Sequence, residues 1–220
     1  MAELTRKLKR AVELVRDPAE REAYIENRKA IKRPISAAWV EVSAVCNLDC
    51  ITCPRQTGVT PEDLELMPLD TYYTIADAIF PKIRDVNFIG LGESLIHPQT
   101  EKIIAYAKSK YVGVNMTSNG TIMTPKIIDK IISSGLDSIA FSVDGGTKET
   151  FEAIRVNARF EKVKRNIKRL IEQKKQLGVE RPWIAMGLVL MKTNIHELAD
   201  VVRLCAELEV PTLNSENVFT

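Results

Sequence analysis

Three cysteines, Cys46, Cys50 and Cys53, lie on one short stretch of the chain in a C-x3-C-x2-C spacing. Thiolate sulfur is the usual ligand of iron–sulfur clusters, and soft ligands favour such metals. Three thiolates can hold three corners of a four-iron cluster, which leaves the fourth iron without a protein ligand. Because an open metal position is typical of a working site rather than a structural one, the spacing predicts an open iron–sulfur site.

Two other interpretations of the cysteines stay open at this point. A structural zinc site needs four closed ligands, and the other candidates, Cys205, His97 and His196, are distant in the sequence. Three buried cysteines could also lie together by chance, although the Asn, Asp and Pro residues among them predict a loop. Disulfides are not expected, because no secretory leader is visible and free thiols indicate a reducing cytoplasm.

Length and composition predict one domain, or one domain with an appendage, in a chain of 220 residues. The apolar fraction of 45% is enough for a sizeable core, and the net charge of +2 is close to neutral. Neither the overall composition nor the net charge therefore indicates nucleic acid or a membrane as a partner.

The sequence pattern of residues 1–34 predicts an N-terminal helical extension. Apolar side chains recur at helical spacing between Leu4 and Val15 among Arg and Lys, and a second helical stretch extends to about residue 31. Two interpretations remain: a basic arm that docks a partner or RNA, and an amphipathic helix pair packed on the core with its basic face in solvent.

From residue 35 to residue 220 short apolar strands alternate with helices. This alternation predicts an α/β fold with a parallel sheet covered by helices. The predicted strands lie near residues 38–42, 85–89, 112–116, 138–141, 183–190 and 212–219. An open doubly wound sheet and a barrel or partial barrel both fit this pattern.

Polar groups follow the first five predicted strands where each strand ends. They are the three cysteines, Gly92-Glu93, Ser118-Asn119, Ser142 with Asp144, and residues 191–194. Each segment taken singly is typical of a turn. In a barrel the carboxyl ends of the strands gather on one face, which carries the active site, whereas in an open sheet they spread along an edge. Five successive polar ends therefore favour a partial (βα)6 TIM-like barrel.

At this point the chain resembles the radical SAM superfamily over nearly the whole stretch from residue 39 to residue 219. The resemblance implies a 4Fe-4S cluster on the three cysteines and S-adenosylmethionine (SAM) chelated to the open iron. It also implies reductive cleavage of SAM to a 5′-deoxyadenosyl radical, which abstracts hydrogen from a substrate. The cofactor then carries out the radical chemistry, while the protein binds and orients the cofactor and the substrate and excludes water from the site.

The resemblance also implies roles for residues at the strand ends. Gly92 and Glu93 are similar to the end of the family's G-G-E-P segment, which binds the amino group of SAM. Ser118, Asn119, Ser142 and Asp144 resemble the polar residues near its ribose or methionine moiety.

Three later residues complete the implied SAM site. Arg155 is similar to the arginine that pairs with the SAM carboxylate, because a guanidinium fork fits a carboxylate; the alternative is an arginine on a surface helix. Val189 and Leu190 resemble the strand-five segment that packs against the adenine.

Departures from the family pattern weaken any assignment to a subfamily. Thr52 stands where an aromatic residue is common, Leu91 where the first glycine of G-G-E-P is usual, and Ser94 where proline is usual. The sequences of the cysteine loop and of the later strand-end segments look most like those of barrels that carry a C-terminal auxiliary-cluster domain of the SPASM type. We expect a core that is truncated at strand six, or whose edge is completed by a partner chain or a missing C-terminal domain.

The expected function is hydrogen abstraction from an unknown substrate, with a peptide or protein ahead of a small molecule. The alternative from another class is a non-catalytic iron–sulfur or SAM-binding partner subunit. We expect a reduced electron donor of the flavodoxin or ferredoxin type, and an anaerobic or well-reduced cytoplasm. No catalytic acid or radical relay can be named without the substrate.

Overall fold

One sheet of six parallel strands organises the structure, a computed structural model that describes residues 17–56 and 64–217. The strands are β1 (Ile35–Val40), β2 (Ile83–Phe88), β3 (Gly113–Ser118), β4 (Ser138–Ser142), β5 (Trp183–Leu190) and β6 (Thr212–Asn217). Their spatial order follows their order in the chain. The sheet therefore lacks the switch point of a doubly wound fold, and it curls into a half-barrel. The predicted partial TIM-like barrel is confirmed.

Helices connect the strands and cover the outer face of the sheet. They are α1 (Pro18–Ala30), α2 (Leu69–Ile79), α3 (Thr100–Ser109), α4 (Pro125–Ser133), α5 (Lys148–Ile154), α6 (Phe160–Leu177) and α7 (Leu198–Glu207). Helices α5 and α6 are separated near Asn157, which has a φ of 72°. The helix predicted between Leu4 and Val15 lies outside the described residues, as does the end of strand six.

The hydrophobic core lies between the sheet and these helices. Strand residues such as Phe88 and Phe141 are fully buried on this side. On the other side a hydrogen-bonded polar row crosses the sheet, from Asn115 Nδ2 to Asn87 Oδ1 at 3.1 Å and from Ser138 Oγ to Asn115 Oδ1 at 2.6 Å. The inner face of the half-barrel is therefore polar where these three side chains lie.

Helix α1 packs against the amino end of the half-barrel. The Tyr24 hydroxyl donates to the Val112 carbonyl at 3.0 Å, and Arg28 pairs with Asp85 at 2.5 Å. A Cβ on Gly113 would lie 2.1 Å from Asp85 Oδ1, so a larger residue there would displace the side chains of this ion pair. Of the helices in the described ranges, none has the length and apolar character of a membrane span.

Candidate active site

The cysteine loop follows β1 and is held by the loop after β2 and by the end of α5. The Glu93 amide donates to the Val45 carbonyl at 2.8 Å, and the Ile51 amide donates to the Ile154 carbonyl at 3.0 Å. Asn157 Nδ2 also donates to Asp49 Oδ2 at 2.7 Å. The loop after β2 and the end of α5 therefore fix the backbone that carries the three thiols.

A cavity of 220 Å³ brings together residues from the ends of β1 to β4. Of the predicted site residues, those lining it are Cys46, Cys50, Cys53, Gly92, Glu93, Ser118, Asn119, Ser142 and Arg155. Asp144, Val189 and Leu190 do not line it. The carboxyl ends of the strands thus converge on one place, as the barrel prediction requires.

The three cysteines are free thiols, and so is Cys205. Burial raises the pKa of the Cys50 thiol, although the nearby Arg155 opposes that shift. Cys205 lies elsewhere in the core, where its sulfur is 3.6 Å from Met186 Sδ. Within the ranges 17–56 and 64–217, no three His, Cys, Asp or Glu side chains surround a position for a single metal ion.

Glu93 is the carboxylate in the cavity wall, and it is only 2% exposed. Its Oε2 accepts the Asn119 amide at 2.7 Å, and its Oε1 accepts the Leu95 amide at 3.1 Å. Burial raises the pKa of this carboxyl, while the hydrogen bonds from Asn119, Leu95 and Ser118 lower it. These hydrogen bonds fix the carboxylate between the loop after β2 and the loop after β3.

Asn119 connects the third strand end to the cysteine loop. Its Nδ2 lies 3.8 Å from Cys46 Sγ and donates to Asn47 Oδ1 at 2.9 Å. Asn47 in turn donates to Thr121 Oγ1 at 2.8 Å. This network places an N–H donor beside one of the three sulfurs.

Arg155 is not a surface arginine, since its side chain is only 12% exposed. Its Nε and Nη2 both donate to Asp144 Oδ2, at 2.8 and 2.7 Å. Its Nη1 lies 3.9 Å from Cys50 Sγ. One side of the guanidinium is therefore held by a carboxylate, and the remaining nitrogen is directed at the cysteine loop.

Asp144 lies behind Arg155 and is fully buried. Its Oδ1 accepts the Val189 amide at 2.8 Å, so the residue links the ends of β4 and β5. In this position it supports Arg155 instead of facing the cavity. Val189 and Leu190 stand at the end of β5, and Leu190 packs against the core.

Glu41 is a site residue that the sequence did not reveal. Its Oε1 accepts the amides of Leu91 and Gly92, the latter at 3.1 Å. A Cβ on Gly90 would lie 2.3 Å from Glu41 Oε1, and a Cβ on Gly92 would lie 1.9 Å from the Ser43 carbonyl oxygen. Gly92 is therefore needed for this loop to lie against the backbone after β1 and present Glu93, whereas a side chain at Gly90 would displace the Glu41 carboxylate.

Glu197 was also missed, and Asn194 was predicted only as one of the polar residues after the fifth strand; the two side chains hold the fourth and fifth strand ends. Asn194 Nδ2 donates to the carbonyls of Asp144 at 3.0 Å and Val189 at 2.8 Å. Glu197 accepts the Gly146 amide at 2.8 Å. Burial alone would raise the pKa of Glu197, but hydrogen bonds, chiefly from Thr150 and Thr147, lower it. A partner some 50 residues away gives no signal in the local sequence.

Comparison with known proteins supports the same family as the cysteine loop. The sequence profile of the Radical SAM superfamily matches residues 40–205. The chain is 26% identical over 187 residues to a "Tungsten-containing aldehyde ferredoxin oxidoreductase cofactor-modifying protein" of Pyrococcus furiosus. It is 28% identical over 178 residues to a mycofactocin maturase of Mycobacterium tuberculosis.

These alignments cover 82% and 81% of this chain but 51% and 43% of the two relatives. The chain therefore spans about half the length of the relatives that it matches.

Solved structures share the fold at low sequence identity. Streptococcus suis SuiB bound to the precursor peptide SuiA has a TM-score of 0.68 at 15% identity, with 91% of this chain and 44% of that chain covered. The protein anSMEcpe, with bound AdoMet and the Cp18Cys peptide, has a TM-score of 0.63 at 20% identity, with coverage of 84% and 51%. At these identities the likeness shows the half-barrel fold.

Proposed function

Because the chain belongs to the Radical SAM superfamily, we propose that it is the catalytic core of a radical SAM enzyme. The observation that carries the proposal is the single cavity lined by all three loop cysteines and by the ends of the next three strands. When bound, the 4Fe-4S cluster and SAM supply a 5′-deoxyadenosyl radical that abstracts hydrogen from the substrate. The chain's own residues bind and orient these groups.

The donor set suits an iron–sulfur cluster. Three free thiols line one cavity, and N–H groups of Asn119 and Arg155 lie within 3.8 and 3.9 Å of two of their sulfurs. Such donors favour the negative charge on thiolates and tune the potential of a bound cluster. We therefore assign Cys46, Cys50 and Cys53 as its ligands.

The SAM contacts follow from the charges in the cavity. We assign Gly92 and Glu93 to the ammonium group, because a buried carboxylate attracts a cation. Arg155 is the cation available to the SAM carboxylate through Nη1, and Asp144 positions it.

The remaining predicted residues surround the nucleoside in this proposal. Ser118, Asn119 and Ser142 offer polar groups to its hydroxyls. Val189 and Leu190, at the end of β5, provide apolar side chains that pack against the adenine.

We propose a residue of a peptide or protein as the substrate. The structures of SuiB and anSMEcpe hold peptides, and the mycofactocin maturase matches over most of this chain. A small-molecule substrate is the second candidate, since a GTP 3′,8-cyclase of Chlorobaculum tepidum is 29% identical over 142 residues. A non-catalytic partner subunit has less support, because it would not need the cysteines together with Glu93 and Arg155.

The domain arrangement is part of the same proposal. Residues 1–34 form the extension, and residues 35–220 form the radical SAM core. Strand β6 pairs with β5 along one edge, and its last four residues are exposed. An exposed edge invites pairing, so we propose that a SPASM-like domain or a partner chain covers it. The proposed setting is an anaerobic, reducing cytoplasm with a flavodoxin or ferredoxin as electron donor.

Anaerobic reconstitution with iron and sulfide, followed by dithionite and SAM, tests the proposal. We expect visible absorbance from thiolate-bound iron and formation of 5′-deoxyadenosine. Both should be lost in Cys50→Ala and kept in the matched control Cys205→Ala, because Cys205 lies outside the cavity. An intact cluster with bound SAM but without 5′-deoxyadenosine would contradict the enzymatic function.

A further inference from the structure

A second cavity, of 840 Å³, lies at the amino end of the half-barrel between α1 and the starts of β1 and β2. Five basic side chains line it, namely Arg28, Lys29, Lys32, Arg33 and Arg84, and we call this set the basic groove. Of the described residues in the lining, Asp85 is the acidic one. The groove is at the opposite end of the strands from the cysteines.

The positive charge of the basic groove is only partly compensated. Arg28 pairs with Asp85 at 2.5 Å and Lys29 pairs with Glu26 at 2.8 Å, whereas Lys32 and Arg84 are exposed. Arg33 donates through Nη1 and Nη2 to two main-chain carbonyls, at 2.6 and 2.7 Å, and its Nε is buried without a partner among the described residues. An unsatisfied buried donor is unfavourable until something accepts from it.

We propose that the basic groove binds an acidic segment of the polypeptide substrate, at a distance from the residue that reacts. Charge complementarity requires an anionic partner. The groove also presents aliphatic surface, since Ile25 is 40% and Ile31 is 37% exposed. Single-stranded nucleic acids stack their bases on aromatic side chains, and the part of this lining that the structure describes contains no aromatic residue. The inference rests on the proposed peptide or protein substrate.

Strand β1 connects the basic groove to the active-site cavity. Pro34 lines the groove, and the strand begins at the next residue. Among the described strands, β1 pairs with β2 alone, and its side chains Ile35 and Trp39 are 48% and 80% exposed. An extended peptide can add to such an edge, and six residues span roughly 20 Å. A substrate anchored in the groove could therefore run along β1 towards the cysteine loop.

Fluorescence anisotropy with a short labelled peptide of repeated Glu-Leu-Glu-Ser blocks tests the groove on the full chain. We expect salt-dependent binding to the wild type. The variant Lys32→Glu/Arg84→Glu should raise the Kd by about tenfold or more. Lys162→Glu/Lys168→Glu, on the exposed face of α6, makes the same change in net charge and should alter the Kd by less than about twofold.

Three results would overturn the proposal: no binding of the acidic peptide by the wild type, equal losses in the two charge-reversal variants, or tighter binding of an oligouridylate than of the peptide. Formation of 5′-deoxyadenosine without peptide separates this inference from the proposed function. The groove variant should match the wild type in that assay. A wild type that binds the peptide at the groove but forms no 5′-deoxyadenosine would contradict the enzymatic proposal and leave the groove supported.

Discussion

Two ion pairs, each with one buried partner, lie at opposite ends of the half-barrel. At the carboxyl end Arg155 pairs with Asp144 at 2.7 Å, with side chains 12% and 0% exposed. Towards the amino end Lys108 pairs with Asp137 at 2.6 Å, with side chains 4% and 21% exposed. The two pairs are alike in charge and distance, but they differ in what else the cation can reach.

The Lys108 ammonium is directed entirely at structural partners. It lies 4.3 Å from the centre of the Tyr24 ring on α1, and Asp137 also accepts the Val114 amide at 2.7 Å. Arg155, in contrast, has five N–H donors in a planar fork, and Nη1 remains for the cavity. The guanidinium can therefore be anchored and still bind a ligand, which an ammonium held in this way cannot do.

Arg155→Ala is the strongest test of this contrast. It leaves the fully buried Asp144 carboxylate unpaired, so we expect the free energy of unfolding to fall by about 3–5 kcal/mol. The SAM affinity should fall as well, while the cysteines still hold the cluster. Chemical denaturation and equilibrium dialysis with SAM measure the two effects.

The double variant Arg155→Ala/Asp144→Asn separates stability from binding. The asparagine keeps an oxygen for the Val189 amide and removes the unpaired charge, so most of the stability should return. The SAM affinity should stay low. Unchanged SAM affinity in both variants would leave Arg155 with a structural role only.

Lys108→Met is the matching change at the amino end. We expect a loss of about 3 kcal/mol, near the lower end for a broken buried pair, because Asp137 is partly exposed and keeps the Val114 amide. Hydrogen exchange of α1 should increase, since the contact with Tyr24 is lost. SAM binding should remain within about twofold of the wild type; a larger change would mean that the two ends are coupled.

The sequence predicted the parts of the site that follow the chain locally. The cysteine spacing, the polar groups after successive strands and the half-barrel could be predicted because strand ends of a parallel barrel meet on one face. The structure confirms the fold and places Gly92, Glu93, Ser118, Asn119, Ser142 and Arg155 beside the cysteines.

The supporting residues could not be predicted, because their partners are distant in the chain. Glu41 binds amides 50 and 51 residues away, and Asn194 reaches the Asp144 carbonyl 50 residues away. The position of Asp144 behind Arg155 depends on where α5 ends relative to β4, which no local pattern specifies. Glutamates and asparagines that cap neighbouring loops resemble ordinary surface residues until the loops are brought together.

Gly92→Ala tests how tightly the carboxyl end is packed. The new Cβ would lie 1.9 Å from the Ser43 carbonyl oxygen, so the backbone must move, and we expect a loss of about 1–3 kcal/mol. SAM affinity should fall, because Glu93 is the next residue. Gly187→Ala is the matched control, since its Cβ would meet the Phe141 carbonyl oxygen at an ordinary 3.8 Å. Equal effects of the two substitutions would contradict the positioning role of Gly92.

The pH dependence of SAM binding gives the smallest effect and tests the carboxylate on its own. Burial raises the pKa of Glu93 above its ordinary value of 4.5, so this carboxyl stays protonated to a higher pH than an exposed glutamate does. Only the ionised form attracts an ammonium group, so affinity should increase as the pH rises through the raised pKa. Below that pKa the Kd should change by at most about tenfold per pH unit.

Equilibrium dialysis of SAM between about pH 5 and 8, a range that starts just above the ordinary carboxyl pKa, measures this dependence. Glu93→Gln should give weaker binding and a flat profile, because the amide does not titrate. Glu41→Gln is the matched control: it keeps an oxygen for the Leu91 and Gly92 amides, so the slope should persist. If the slope survives in Glu93→Gln, another group binds the ammonium, and the contrast between the two ends of the barrel rests on Arg155 alone.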